Sequence, residues 1–85
     1  MYYISGKHPV SALAEFCTKK KWQPPVYNVV HESGPDHKKD FLYQVVVNGY
    51  SYQFNIASNN KKFAKAQAAF SALKVLGLVP PNATM

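Results

Sequence analysis

The chain contains no arginine: all ten of its basic residues are lysines. Lysine meets phosphate as a mobile point charge, whereas arginine forks onto guanine edges. Such a chain is suited to a polyanion and poorly equipped to read bases. Acidic residues are few, four against those ten, which leaves a net charge of +6 and a pI near 9.6. A single cysteine excludes an internal disulfide and with it the stapled secreted scaffolds; a reducing, intracellular compartment fits better. The cysteine and three scattered histidines lack the spacing of a zinc site, so no metal and no cofactor are expected. No apolar run approaches the roughly 18 residues of a membrane span, and the opening Met1–Lys7 lacks the apolar stretch of a signal peptide. Repeats and low-complexity segments are absent. What remains is 85 residues, 47% apolar and 14% aromatic, enough for one small core and too rich for a disordered tail.

Pro9 suits a first helical position, with His8 as the cap before it. Val10, Leu13 and Cys17 then recur on one helical face beside Phe16, and Lys19, Lys20 and Lys21 close the carboxyl end, where cations suit the helix dipole. Pro24-Pro25 stops the helix. Residues 26–33 alternate, with Tyr27, Val29 and His31 on one side and Asn28, Val30 and Glu32 on the other, which predicts a first strand. Gly34–Asp40 is a polar loop. A second strand turns Phe41, Tyr43, Val45 and Val47 inward, Asn48-Gly49 makes a hairpin, and a third strand turns Tyr50, Tyr52, Phe54 and Ile56 inward. Asn60 caps a last helix over residues 61–76, in which Ala64, Ala68, Ala72 and Leu76 recur every fourth position beside Leu73 and Val75. Gly77 ends that helix and Pro80-Pro81 ends the fold. The order α-β-β-β-α predicts an α+β fold, a three-stranded antiparallel sheet with both helices packed on one face.

This order, together with His8-Pro9-Val10, Leu13, Glu15, Ser33-Gly34-Pro35-Asp36-His37, Phe41, Val45 and Lys61-Lys62-Phe63-Ala64-Lys65, resembles the double-stranded RNA-binding domain. The resemblance sets residues 8–79 as the domain, residues 1–7 as an amino-terminal extension and residues 80–85 as a tail. His8–Leu13, Trp22–Pro25, Ser33–His37 and Asn60–Lys62 are most similar to the version found in nuclear splicing proteins, which favours the nucleus over the cytoplasm. It implies a non-enzymatic module that spans two minor grooves of A-form RNA and the phosphates between them.

Three contact patches are implied. Glu15, with Ser11 and His8, would meet 2′-hydroxyls from the first helix. His37, stiffened by Pro35 and supported by Lys38 and Lys39, would reach the next minor groove. Lys61, Lys62 and Lys65, following Asn60, would meet the intervening phosphates. Lysines at a helix amino end oppose its dipole, a cost that a bound phosphate would offset. Ala14 departs from the family, which often carries a polar residue there, and Ile56 and Ser58 stand where it often has small ones. The alternative is a protein-interaction or dimerisation module of the same fold, docking through the sheet, whose outer face carries Val30, Leu42 and Val46. Four features are set aside: Cys17 as a core thiol, Trp22 and the strand tyrosines as packing residues, Glu32, Asp36 and Asp40 as loop charge, and Asn82-Ala83-Thr84 as a chance glycosylation sequon. The last helix is too alanine-rich to insert into a membrane.

Overall fold

A computed structural model describes residues 8–84; the extension expected over residues 1–7 lies outside them. The elements are α1 (Pro9–Lys19), β1 (Val26–Ser33), a single 3-10 turn (Asp36–Lys38), β2 (Asp40–Val47), β3 (Tyr50–Gln53) and α2 (Lys61–Val75). The strands form one antiparallel sheet in the order β1-β2-β3. Helix α2 packs on β2 and β3, and α1 packs on α2. This is the expected α-β-β-β-α arrangement.

Local chemistry sets most boundaries. At α1 the His8 Nδ1 accepts a hydrogen bond from the Val10 amide (3.2 Å), and Pro9 supplies a helical φ. At α2 the Asn60 Oδ1 accepts from the Phe63 amide (3.0 Å). Asn48 and Gly49 both take positive φ, 50° and 86°, so the hairpin's twist matches that of the strands it joins. The core gathers Leu13 and Cys17 from α1, Phe41, Tyr43, Val45 and Val47 from β2, and Ala64, Ala68, Ala72, Phe70 and Leu73 from α2. Alanines on the sheet-facing side let α2 lie close to β2. Val79 closes the far end, and Ala83 folds back half-buried against the same cluster.

Several expectations are corrected. A bulge between Val29 and His31 interrupts the alternation of β1: Val29 pairs with Tyr43, but His31 pairs with Leu42 and Glu32 with Phe41. Beyond the bulge His31 therefore shares the outer face with Leu42, and Glu32 turns to the helix side beside buried Phe41. β3 ends at Gln53, and Tyr50 and Ile56, expected inward, are 67% and 60% exposed. Tyr50 sits on an edge strand just past the turn, where no helix covers it. Val75 is also exposed, on the solvent side of the last turn of α2, and Leu76 is the cap rather than part of the helix. Lys20 and Lys21 lie beyond the end of α1 in the same way.

Candidate nucleic-acid interface

The segment before α2 is tied to the start of β2. Phe41 donates its amide to the Ser58 carbonyl (2.7 Å) and Ser58 donates back to Phe41 (2.9 Å). Ser58 Oγ then accepts from the Asn60 amide (3.2 Å). Ser58, a departure from the small residues expected there, thus anchors the helix entry to the strand that carries the loop.

The loop is shaped by Gly34. Its φ is 94°, and a Cβ there would lie 2.6 Å from the Lys38 carbonyl oxygen. Only glycine fits that close approach. Pro35 precedes the 3-10 turn, and its carbonyl accepts from the Lys38 amide (2.8 Å). His37 and Lys38 are exposed; Lys39 is half-buried and pairs with Asp36 at 3.6 Å. The Asp36 side chain is solvent-exposed, so that pair contributes little to stability.

Loop and helix meet. One cleft is lined by Glu32, Asp36, His37, Lys38, Lys39, Phe41, Asn59 and Lys61. The helix starts meet as well: a second cleft is lined by His8, Val10, Ser11, Lys62 and Lys65, and a third by His8, Pro9, Asn60, Lys62, Phe63 and Ala66. Lys61 links the first cleft to the start of α2, and Lys62 links the other two to α1. The loop, the first turns of α2 and the start of α1 therefore border one continuous surface. Glu15 is half-buried on α1, four residues after Ser11 and so on the same side of the helix.

Aromatic rings of the sheet support the lysines. The Lys61 ammonium lies 5.1 Å from the Phe41 ring centroid, and Lys65 lies 5.4 Å from that of Tyr43. A cation over an aromatic face is held without losing its charge. Both ends of α2's first turns are thus oriented by core residues of β2.

Over residues 7–77 the sequence matches the double-strand RNA-binding domain from Dead End protein 1. The chain belongs to the double-stranded RNA-binding domain family. This domain is 62% identical over 52 residues to Protein SON of Mus musculus, covering 61% of this chain and 2% of that protein. It is 45% identical over 76 residues to Protein Son of Drosophila melanogaster, covering 89% of this chain and 9% of that protein. The chain thus spans a small fraction of these relatives. Among solved structures it resembles Arabidopsis HYL1, with 36% identity and a TM-score of 0.76 over 81% of this chain and 96% of that one. It also resembles the dsRBD of a tRNA-dihydrouridine(20) synthase, with 31% identity and a TM-score of 0.76 over 91% of this chain and 79% of that one.

Three residues escaped the sequence reading of the surface. Glu32 reaches the cleft only because of the bulge. Asn59, next to the cap Asn60, lines the cleft with Lys61. Phe63 is 45% exposed and lines the cleft beside His8; an aromatic between two lysines was the available signal. Trp22 is half-buried and meets Phe16 edge-on at 5.6 Å, a packing role. Cys17 is buried, and burial pushes its thiol up. Burial, with the neighbouring Cys17 second, pushes Tyr27 up to about 12. The Tyr27 hydroxyl is buried with no hydrogen-bond partner among the described residues. Among the described residues, no group of His, Cys, Asp and Glu side chains could hold a metal ion, and no helix is long and apolar enough to cross a membrane.

Proposed function

We propose that this domain binds double-stranded RNA by the shape of the A-form helix, largely without regard to sequence. The observation that carries the reading is the continuous surface joining the His37 loop, the α2 lysines and the start of α1. A duplex laid on that surface meets hydroxyl-seeking groups at each end and cations between them. Glu15, Ser11 and His8 would face one minor groove. His37, with Pro35, Lys38 and Lys39, would face the next. Lys61, Lys62 and Lys65, following Asn60, would meet the phosphates of the major groove between. The carboxylate of Glu15 accepts hydrogen bonds from 2′-hydroxyls, which DNA lacks. The domain, taken as residues 8–79, performs no chemistry of its own and acts as one module of a longer nuclear RNA-processing protein, a reading supported by its likeness to the SON proteins.

Titration with an RNA duplex and with the matching DNA duplex tests this. RNA should bind more tightly, with a salt dependence set by about three to five neutralised phosphates. Equal affinity for the two duplexes would overturn recognition through 2′-hydroxyls.

A further inference from the structure

We propose that Lys19, Lys20 and Lys21 form a second contact for the phosphodiester backbone of RNA, at the far end of α1 from the clefts described above. All three are exposed. They lie at the opposite end of α1 from His8 and Ser11, and 11 helical residues set the two ends roughly 16 Å apart.

The helix dipole explains only the first of them. Its influence fades within the last turn, where Lys19 is the final helical residue; Lys20 is the cap and Lys21 lies outside. Lys21 is also held in the left-handed region at φ 61°. Its amide donates to the Thr18 carbonyl (3.1 Å), and the Trp22 amide donates to Cys17 (2.9 Å). The end of α2 repeats this arrangement bond for bond: Gly77 donates to Lys74 (3.1 Å) and Leu78 to Leu73 (2.9 Å). There the left-handed position, φ 79°, is a glycine, as such helix ends favour. The same chain thus closes one helix without strain and accepts strain at the other to keep a lysine. Strained backbone of this kind gathers where a residue has work to do.

The turn is also braced. The Lys20 ammonium lies 5.7 Å from the Phe16 ring centroid, and Phe16 packs edge-on against Trp22. Of the four acidic residues, Glu32, Asp36 and Asp40 belong to the hairpin; Glu15 is the one carboxylate on α1. Three adjacent lysines on a fixed turn, with Glu15 the one α1 carboxylate a turn before Lys19, fit a chain of evenly spaced phosphates. That backbone comes from one of two sources: a strand running on past the bound duplex, or a second RNA molecule.

Trp22, the single tryptophan, adjoins this turn and reports on it. The probes are a blunt RNA duplex, the same duplex with a single-stranded oligouridine tail, and free oligouridine. In wild type, and in Lys61→Ala/Lys62→Ala/Lys65→Ala, free oligouridine should change the Trp22 fluorescence. In Lys19→Gln/Lys20→Gln/Lys21→Gln its affinity should fall about tenfold and its log–log salt slope by about 2. Tighter binding of the tailed than the blunt duplex identifies the running strand; a second oligouridine equivalent on a complex with the blunt duplex identifies a second molecule. Lys21→Gly should raise the melting temperature and weaken oligouridine binding; unchanged affinity would remove Lys21 from the contact. If the triple glutamine variant binds oligouridine and tailed duplex as wild type does, the proposal is overturned. Only the identity of the polyanion rests on the proposed function. Failure of that function would show as equal RNA and DNA duplex affinity, and the free-oligouridine arm would still be readable.

Discussion

At the start of α2, Lys61, Lys62 and Lys65 are exposed and stand where the helix dipole disfavours positive charge. On the same stripe of that helix Ala64, Ala68 and Ala72 are buried, and Phe70 and Leu73 are buried on its other sides. Lys61 and Ala64 are three residues apart, Lys65 and Ala64 adjacent. The lysines reach out from that stripe toward a ligand, at some expense to the isolated helix; the alanines bring the helix close to the sheet and touch no ligand. Because the two sets interleave along 15 residues, recognition and folding should be separable by substitution even though no stretch of α2 belongs to one alone.

The largest effect should come from the buried set. Leu73→Ala removes a fully buried side chain and should cost about 3 kcal/mol, measured by urea unfolding. The folded fraction should keep its RNA affinity, and a loss of affinity at full folding would break the division. Next is the exposed set: Lys61→Ala/Lys62→Ala/Lys65→Ala should weaken duplex RNA binding about a hundredfold. Its melting temperature should hold or rise, since cations leave an unfavourable helix end. A melting temperature several degrees lower would show that the lysines also support the core through the Phe41 and Tyr43 rings.

Two further changes sharpen the contrast at the loop. Gly34→Ala places a methyl group against the Lys38 carbonyl at a left-handed φ and should cost roughly 2 kcal/mol, lowering both melting temperature and RNA affinity. His37→Ala should leave stability unchanged and cost about 1 kcal/mol in RNA affinity, read in the same titration. The smallest effect is at Tyr27, where a buried hydroxyl has no partner among the described residues. Tyr27→Phe should be neutral or stabilising by up to about 1 kcal/mol. It should also remove part of the alkaline loss of stability. The folded phenol holds its proton up to about 12 against an ordinary 10.0. The stability it contributes is therefore complete below pH 10 and is lost as pH rises toward 12. Urea unfolding at pH 9 and above compares the two proteins.

Much of this was legible in the residues. Pro9 after His8, Asn48-Gly49, the cap at Asn60 and Gly77 each act over two or three positions, so their effect is written locally. The inward row Phe41, Tyr43, Val45 and Val47 was legible because β2 is the central strand, with neighbours on both edges and α2 above it. Tyr50 and Ile56 were misplaced because the same alternation near an edge buries nothing; what covers a strand is a property of distant segments. Phe70, off the four-residue alanine series, is buried on a side of α2 where Phe54 and Ala83, distant in the chain, border the same cleft. The meeting of His37 with Lys61 rests on the paired backbone bonds of Phe41 and Ser58, residues whose side chains give no hint of the pairing.

The spare residue in β1 has a consequence of its own. Sides alternate along a strand, so one extra position acts as a half-period delay, and everything after Val29 arrives on the opposite side. Deleting Val30 would leave His31 opposite Leu42 and Glu32 opposite Phe41, as they stand now, because the deletion removes the spare residue itself. Regular pairing with Val30 kept would do the reverse, placing the imidazole of His31 in line with Val29 on the helix side and turning the carboxylate of Glu32 outward. Here the chemistry of a ligand-facing edge is governed by strand phase, and one spare residue decides which of two neighbouring side chains borders it.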